Sequence, residues 1–264
     1  MLNIVVMIKQ VPDSSEVEID PVKMTLNRTK ARNVVNAADL NALEFALRIK
    51  DKVGANITVI SMGPPMADAA IIECMARGAD RGILITDRAF AGADTYPTGL
   101  TLAATIAKIG NVDIIFGGDE TTDSSTGHVG PGVAEFLGID QITYAKEVDY
   151  EDGYVIATRD LEDGDETVKV HTPVLITVLL NSNIPRHQSL RKKIDAIRKG
   201  VESWGINELG LKPDWVGLRG SPTIVRSMKA IKEPEHLHKT VPIDQIDTII
   251  ADLVSKNIIK VGGK

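Results

Sequence analysis

The chain has 264 residues, 43% of them hydrophobic, and a formal net charge of −6, values that are ordinary for a globular protein with a proper core. The negative charge argues against a nucleic-acid partner, which needs a basic field over its binding face. Apolar runs such as 4–8 are far shorter than the ~20 residues that span a bilayer, and the N-terminal residues lack the features of a signal peptide, so we expect a cytoplasmic protein without membrane insertion.

Up to about residue 140, short β-rich apolar runs alternate with longer helical patterns. Strands are predicted at 2–8, 57–62, 82–86 and 113–116, and helices between them at 37–52, 67–77 and 97–108. This alternation is typical of a parallel sheet covered by helices. The sequence therefore predicts a doubly wound α/β fold, in which the single cysteine, Cys74, is a buried structural residue.

Beyond residue 140 the pattern changes to strands separated by tight turns. Strands are predicted at 141–150, 154–160, 167–171 and 174–179, with turns at 151–153 and 163–164. An Asp-Gly pair between alternating runs is a hairpin signal. We therefore expect these strands to form an antiparallel extension of the parallel core.

The last part of the chain has a different composition. From about Ile184 the sequence predicts a basic helix, a loop region that includes Trp204 and Trp215, and a last amphipathic helix at 243–256. The apolar density there is too low for an independent domain. We therefore expect an α/β domain at 1–205 and an arm at 206–264 that needs a partner to cover it.

The ligand crevice of an open α/β sheet lies beyond the carboxyl ends of its strands, which directs attention to the loops at those ends. The loop at 117–131 is longer than the ~2 to 6 residues usual at such a position. Gly127 and Gly130 would let backbone amides approach a ligand, the hydroxyls at 124–126 can bond phosphate oxygens, and a helix begins near Pro131. The pattern favours phosphate binding over an ordinary flexible loop.

Other candidate positions are less specific. Asn36 and Asp39 match the N-cap and third position of the first helix, so they can either cap it or bind a ligand. The segment 9–12 lacks the glycines of a dinucleotide fingerprint or a P-loop, so a nucleotide must be held in another manner. The histidines show no clear metal-ligand spacing, and no nucleophile elbow or acid pair is recognisable. Any chemistry is therefore expected to belong to a cofactor.

Several stretches resemble one known family. Residues 157–178, ATRDLEDGDETVKVHTPVLITV, resemble the signature of electron-transfer flavoprotein beta subunits. Further similar stretches follow the family's order at 9–12 (KQVP), 36–39 (NAAD), 61–64 (SMGP), 76–81 (ARGADR) and 183–186 (NIPR). The resemblance covers essentially the whole chain and implies an adenine-nucleotide α-hydrolase-like sheet.

The resemblance also implies an adenine-nucleotide site in the loops selected above. Its expected residues are Met7, Ile8, Lys9, Asn36, Asp39, Ser61, Met62, Gly63, Asp119, Thr122, Asp123, Ser124, Ser125, Thr126, Gly127, His128, Val129, Gly130, Pro131 and Val133. In the family as a whole this site holds AMP, whereas in the electron-bifurcating branch it holds FAD. Because 126–131 resembles the bifurcating pattern, FAD is expected, with AMP as the alternative.

In that branch NADH is the electron donor, one electron reaches ferredoxin or flavodoxin, and the other passes through the FAD of an alpha subunit to a flavin dehydrogenase. The resemblance thus implies a heterodimer in which 206–264 wraps onto the alpha subunit. A dehydrogenase of the lactate or acyl-CoA type is expected to dock at Pro185, Arg186, Leu190, Arg191 and Lys192, with Leu190 as an apolar anchor in a basic rim. A stand-alone α-hydrolase-type ATP-binding protein is the alternative from another class.

Overall fold

The structure is a computed structural model that describes residues 1–13, 18–20, 25–27, 32–224 and 242–259. In chain order the strands are β1 (Leu2–Met7), β2 (Gln10–Pro12), β3 (Glu18–Asp20), β4 (Thr25–Asn27), β5 (Asn33–Val35), β6 (Ala55–Met62), β7 (Arg81–Ile85), β8 (Ile114–Gly118), β9 (Asp140–Glu151), β10 (Tyr154–Leu161), β11 (Gly164–His171), β12 (Val174–Val178) and β13 (Glu202–Trp204). The helices are α1 (Ala37–Val53), α2 (Asp68–Arg77), α3 (Thr95–Ile109), α4 (Val129–Leu137), α5 (Leu190–Lys199), α6 (Ile206–Leu209), α7 (Gly217–Gly220) and α8 (Ile246–Ser255), with 3-10 turns at Pro65–Ala67, Arg88–Phe90, Pro213–Trp215 and Ile243–Gln245.

Nine strands form one sheet, in the order β11-β10-β9-β12-β8-β1-β6-β7-β13. Strand β1 pairs in parallel with β6 on one side and β8 on the other, and β9, β10 and β11 are antiparallel. The chain first moves outward from β1 through β6 to β7 and then returns to the other side of β1 with β8. The predicted fold class, a doubly wound and mostly parallel α/β sheet with an antiparallel extension, is confirmed, and its switch point lies between β1 and β8.

Helices cover both faces of the parallel core. Side chains of β1 alternate between the two faces: Ile4 and Val6 pack in the core that includes α1 and α2, whereas Val5 and Met7 pack in the core that includes α3 and α4. The central strands are almost entirely apolar because each of their faces is buried. Cys74 of α2 is buried, as predicted, and its thiol is free.

The prediction that 174–179 belongs to the antiparallel extension is wrong. Strand β12 lies in the parallel core, between β8 and β9, and runs parallel to both. All five residues of β12 are buried, from Val174 to Val178. A strand that is apolar along its whole length is typical of the centre of a parallel sheet, and not of a hairpin with one exposed face.

The region after residue 200 is more ordered than the sequence predicts. Trp204, expected in a loop, lies in β13, which pairs with β7 and forms the edge of the sheet. Leu209 and Leu211 pack against the second core, and Val216 is fully buried in it. The first compact unit extends over Met1–Arg226.

Ser227–Lys264 forms a second compact unit. Its described part, residues 242–259, contains the last helix, α8, which is preceded by the turn Ile243–Gln245. The predicted helix at 243–256 is thus confirmed. Within the described ranges, no helix is both long and apolar enough to cross a membrane.

Candidate functional site

Asp39 joins the two strands that flank the switch point. Its carboxylate accepts hydrogen bonds from the backbone amide of Lys9, at 2.7 Å, and from that of Gly118, at 2.9 Å. Lys9 follows β1 and Gly118 ends β8. A single side chain from α1 is therefore hydrogen-bonded to both strands that border the crevice, which is the space between the carboxyl ends of β1 and β8. Burial raises the pKa of Asp39 to about 7, even though the hydrogen bonds it accepts act in the opposite direction.

The start of α1 lies directly against the end of β8. A Cβ atom at Gly118 would lie 2.5 Å from Oδ1 of Asp39 and 2.8 Å from Cβ of Ala38. No side chain fits in that space without moving the helix. Gly118 therefore allows α1 to approach the strand closely enough for Asp39 to reach its backbone.

Asn36 connects α1 to the loop that follows β8. It occupies the N-cap position, but its side chain makes no capping hydrogen bond, so the interpretation of Asn36 as a side-chain cap is wrong. Its amide nitrogen instead donates to the carbonyl of Glu120, at 2.9 Å, and its amide oxygen accepts from the backbone amide of Thr122, at 3.3 Å. Asn36 is 1% exposed, whereas Glu120 and Thr122 are exposed, so these part-buried bonds fix the loop on the helix.

The loop after β8 is organised by its own hydroxyl groups. The Thr121 hydroxyl donates to Asp123, at 2.8 Å, and lies 2.8 Å from the Ser124 hydroxyl. The Thr121 carbonyl accepts from the amide of Ser125, at 2.8 Å. Thr121 and Glu120 are not among the predicted site residues, and their bonds, the hydroxyl of Thr121 to Asp123 and the carbonyl of Glu120 to Asn36, have no signature in the local sequence.

Lys9 brings a positive charge to this loop. Its ammonium lies 2.7 Å from the Asp123 carboxylate and 3.5 Å from the Ser124 hydroxyl. Partial burial raises the pKa of Asp123, but hydrogen bonds from Lys9 and Thr121 outweigh it and hold the pKa below its ordinary value. The negative charge of Asp123 is therefore compensated within the crevice.

Four buried side-chain polar atoms have no hydrogen-bond partner among the described residues: the Ser61 and Ser182 hydroxyls, Nε of Arg77 and one carboxylate oxygen of Asp119. Of these residues, Asp119 lines the crevice cavity, whereas Ser61 is 0% exposed. Burial, assisted by the charge of Glu120, raises the pKa of Asp119. Because buried polar atoms are nearly always hydrogen-bonded, the Asp119 oxygen suits a polar group of a ligand.

Helix α4 begins at Val129, immediately after the loop, and directs its first amides toward the crevice end of the sheet. Gly130 touches β12 so closely that a Cβ atom there would lie 2.4 Å from the methyl group of Thr177. The side chains of Met7, Ile8 and Val133 belong to the hydrophobic core, so only their backbone is available to a ligand.

The remaining predicted residues lie along the same edge. Met62 ends β6 and Gly63 follows it, with the Gly63 amide donating to the Ile85 carbonyl at 3.0 Å. Thr126 and His128 are exposed in the loop, and Gly127 and Pro131 are partly buried. Gly127 has a positive φ of 64° and Ser125 one of 44°. All the predicted cofactor-binding residues are thus at the carboxyl end of the sheet.

A small cavity and a larger cleft are present in the first unit. One of about 60 Å³ lies in the crevice and is lined by Asn36, Ala38, Asp119, Glu120, Thr122 and Leu180. The other, a cleft of about 440 Å³, lies between α2 and α5 and is lined in part by Pro65, Ile72, Ile197 and Val201. Three of the predicted residues, Asn36, Asp119 and Thr122, line the smaller one. In the part of the chain described, no cluster of His, Cys, Asp and Glu suits a metal ion.

The predicted docking residues lie on and before α5. Leu190, the first residue of the helix, is 76% exposed, and Arg191 and Lys192 are exposed beside it. Pro185 is partly buried. The guanidinium of Arg186 is bound within the chain, to Glu44 and Asp51, so it is not a free member of a basic rim.

The fold and the crevice define a class: doubly wound α/β proteins whose ligand site lies at the switch point of the sheet. A family model described as electron transfer flavoprotein domain matches residues 23–205. The electron transfer flavoprotein subunit beta of Clostridium acetobutylicum is 47% identical over 233 residues, which cover 88% of this chain and 90% of the relative. The chain belongs to the electron transfer flavoprotein family.

Two other relatives carry different names. Protein FixA of Sinorhizobium fredii is 40% identical over 263 residues, 97% of this chain and 92% of that protein. The caffeyl-CoA reductase-Etf complex subunit CarD of Acetobacterium woodii is 41% identical over 225 residues, 85% of this chain and 86% of that protein. The similarity thus extends over most of the chain in each case.

Proposed function

We propose that this chain is the beta subunit of a heterodimeric, electron-bifurcating flavoprotein and that it binds FAD in the crevice between β1 and β8. NADH would be the electron donor, with ferredoxin or flavodoxin and, through the FAD of an alpha subunit, a flavin dehydrogenase as acceptors. The observation that carries the proposal is the convergence of Lys9, Asn36, Asp39 and the loop 119–128 at the switch point of the sheet.

The crevice offers several groups that suit a phosphate. The Lys9 ammonium supplies a positive charge, and the Ser124 hydroxyl lies next to it. The N-terminus of α4 adds free backbone amides and the positive end of a helix dipole. Together these groups can bind an anion without the glycine-rich fingerprint that the sequence lacks.

Compensation of one carboxylate in the crevice suits the second phosphate of FAD. An uncompensated carboxylate ~4 Å from that phosphate would cost about 4 kcal/mol at an effective dielectric constant near 20. The carboxylate nearest the loop hydroxyls, that of Asp123, is paired with Lys9 at 2.7 Å. Two more carboxylates, those of Asp119 and Glu120, line the crevice cavity, and burial raises the pKa of Asp119. The choice of FAD over AMP therefore rests on the resemblance of 126–131 to the bifurcating pattern.

FAD, when bound, would supply the redox chemistry that the side chains of the crevice do not. The chain's residues would bind and orient it. The unpaired oxygen of Asp119, which lines the crevice cavity, is a buried group that can bond a ligand. Asn36 holds the loop backbone at Glu120 and Thr122, which keeps the loop hydroxyls in place when a ligand enters.

The partners follow from the family and from the exposed surface. The relative from Acetobacterium woodii is named as a subunit of a complex with caffeyl-CoA reductase, which supports a dehydrogenase of the acyl-CoA type. The exposed Leu190 beside Arg191 and Lys192 suits the core and rim of a transient interface. Because Leu209, Leu211 and Val216 pack into the first unit, the part of the expected arm 206–264 that would contact the alpha subunit is the second unit, Ser227–Lys264. We expect the chain alone to bind nucleotide poorly. Sedimentation of a nucleotide-loaded monomer would contradict this.

The direct test is a count of nucleotides. The chain is purified with its alpha subunit, the nucleotides are extracted with acid, and FAD and AMP are measured per heterodimer. Two FAD and no AMP support the proposal. One FAD with one AMP would reject bifurcation and leave an ordinary electron carrier, whereas a chain that binds ATP without any alpha subunit would favour the α-hydrolase-type alternative.

A further inference from the structure

The segment that joins β12 to α5 has no regular secondary structure between residues 181 and 189. Polar side chains of α1 hold its first part. The amide nitrogen of Asn41 donates to the Asn183 carbonyl, at 2.7 Å, and Asn183 returns a hydrogen bond to the Asn41 carbonyl, at 3.0 Å. The Asn181 amide donates to the Asn41 side chain, at 3.1 Å. The segment is thus bonded to the helix, although its own backbone forms no helix or strand.

Glu44 holds the next part of the segment. It is 5% exposed and lies one turn beyond Asn41 on α1. Its carboxylate accepts three hydrogen bonds from Arg186: from the backbone amide at 3.0 Å, from Nε at 2.9 Å and from Nη2 at 3.1 Å. The other terminal nitrogen of Arg186 lies 2.9 Å from the Asp51 carboxylate. This forked geometry fixes both the side chain and the backbone of Arg186.

Helix α2 completes the attachment. Arg77 donates to the carbonyl of Arg186, and the Ser189 amide donates to the Ala76 carbonyl, at 2.9 Å. Helix α5 begins at the following residue, Leu190, which is 76% exposed. Leu190 has almost no packing of its own to fix its position. Two attachments determine its place on the surface: the bonded segment that precedes it, and the packing of α5 itself, in which Ala196 is buried in the core and Lys199 donates to the Asp80 carbonyl at 2.6 Å.

We propose that Glu44 is a positioning residue for the docking of the dehydrogenase, because it holds Arg186 and thereby places Leu190 and α5 without touching the partner. The inference rests on the proposed docking function of α5. The same helix that carries Glu44 begins at the crevice, where Asp39 binds β1 and β8. Helix α1 therefore fixes the docking surface relative to the cofactor site.

The hydrogen bonds of Glu44 indicate that it positions the segment before α5, and that its role is not only to raise the free energy of unfolding. A buried ion pair is weak evidence for stability, because the free energy of desolvation offsets the attraction between the charges. Here the carboxylate also accepts a backbone hydrogen bond, so it defines the path of the main chain. Partial burial raises the pKa of Glu44, but the bonds from Arg186 outweigh it, which leaves the carboxylate ionised at neutral pH.

The experiment compares Glu44→Gln, Arg186→Lys and Leu190→Ala in the complete heterodimer. Purified short-chain acyl-CoA and lactate flavin dehydrogenases are the probes, and the one that accepts electrons from the wild type is used for kinetics. Lys52→Gln is the matched control, because it breaks an exposed ion pair on the same helix, with Asp149 at 2.7 Å. Each variant is also assayed for nucleotide content and for reduction of a small artificial acceptor.

We expect Glu44→Gln to raise the apparent KM for the heterodimer about tenfold, with kcat, nucleotide content and the artificial-acceptor rate within about twofold of wild type. Arg186→Lys keeps the positive charge but loses the paired guanidinium hydrogen bonds to Glu44, so it should raise the apparent KM by a smaller factor. Amide hydrogen exchange should accelerate at Arg186 and Ser189 in Glu44→Gln but not in β1, and Lys52→Gln should resemble the wild type.

The outcomes separate the two proposals. If Leu190→Ala raises KM but neither Glu44→Gln nor Arg186→Lys does, the positioning role is rejected and docking by α5 stands. If Leu190→Ala leaves KM unchanged, the docking function itself is rejected and the positioning role with it. If Glu44→Gln does not fold, Arg186→Lys decides: an unchanged KM overturns the inference, and a raised KM with normal nucleotide content supports it.

Discussion

Gly130 and Gly132 form a matched pair in the first turn of α4. A Cβ atom at residue 130 would lie 2.4 Å from the Thr177 methyl group, and Thr177 is 2% exposed, so neither side can move freely. A Cβ atom at residue 132 would have no atom within 4 Å apart from the neighbouring backbone of its own helix. The same substitution, glycine to alanine, therefore adds a clash at one site and only helix propensity at the other.

Overpacking of this kind costs about 1–3 kcal/mol, whereas alanine in place of glycine gains up to about 1 kcal/mol in a helix. We expect Gly130→Ala to lower the free energy of unfolding by about 1–2 kcal/mol and Gly132→Ala to raise it by about 0.5 kcal/mol. For a unit of this size, 1 kcal/mol corresponds to roughly 2–4 °C in Tm. Gly130→Ala should also weaken nucleotide retention, because the clash displaces the N-terminus of α4.

The assay is thermal unfolding of the heterodimer, followed by circular dichroism and by the fluorescence of released flavin. The expected order of Tm is Gly132→Ala, wild type, Gly130→Ala. If Gly130→Ala unfolds at or above the wild-type temperature, the close contact between α4 and β12 is not present and the reasoning is refuted.

Three further predictions concern titratable side chains. Because the pKa of Asp39 is raised from 3.8 to about 7, the folded chain keeps a proton that the unfolded chain releases, so its stability falls as pH rises from about 4 to about 7. Asp39→Asn should remove this pH dependence of the free energy of unfolding, which is up to about 1.4 kcal/mol per pH unit. The same pH dependence in wild type and variant, measured by urea unfolding, would contradict this. Lys9→Met should raise the Kd for the nucleotide about tenfold at low salt, with Lys9→Arg close to wild type; equal Kd values in titration calorimetry would exclude a role for the charge. Burial raises the pKa of the Cys74 thiol, so iodoacetamide should alkylate it only after unfolding, and rapid alkylation of the native chain, detected by mass spectrometry, would show that it is accessible.

Local patterns predicted the parallel core well. Strands β1, β6, β7 and β8 and helices α1, α2 and α3 lie within two residues of their predicted bounds, because each carries a clear periodicity. The sequence analysis did not predict the three-residue strands β2 to β5, which are too short to show a period. The loop after β8 was found from its length and its hydroxyl groups. Strand β12 was misplaced because it follows three antiparallel strands in sequence, and its uniform apolar pattern was read as part of that series.

The side-chain partners of the site could not be predicted in the same way. Asn36 looks like an N-cap in its local sequence, but its partner lies 84 positions away, at Glu120. Arg186 looks like part of a basic surface, and its partner Glu44 lies 142 positions earlier. A single sequence contains no signal for such pairs. One hint was available: Asn41 and Glu44, like Asp39, are polar residues on the buried face of the amphipathic helix α1.

The measurement that tests the central claim most directly is the nucleotide content of the heterodimer with Gly118→Ala, beside Gly132→Ala as the control. The added methyl group would lie 2.5 Å from the Asp39 carboxylate and would force α1 away from β8. If the crevice between β1 and β8 holds the cofactor of this subunit, Gly118→Ala should lose one nucleotide per heterodimer and retain the FAD of the alpha subunit, while Gly132→Ala keeps both. Retention of the wild-type number of nucleotides by a Gly118→Ala heterodimer with a native circular dichroism spectrum would contradict the assignment.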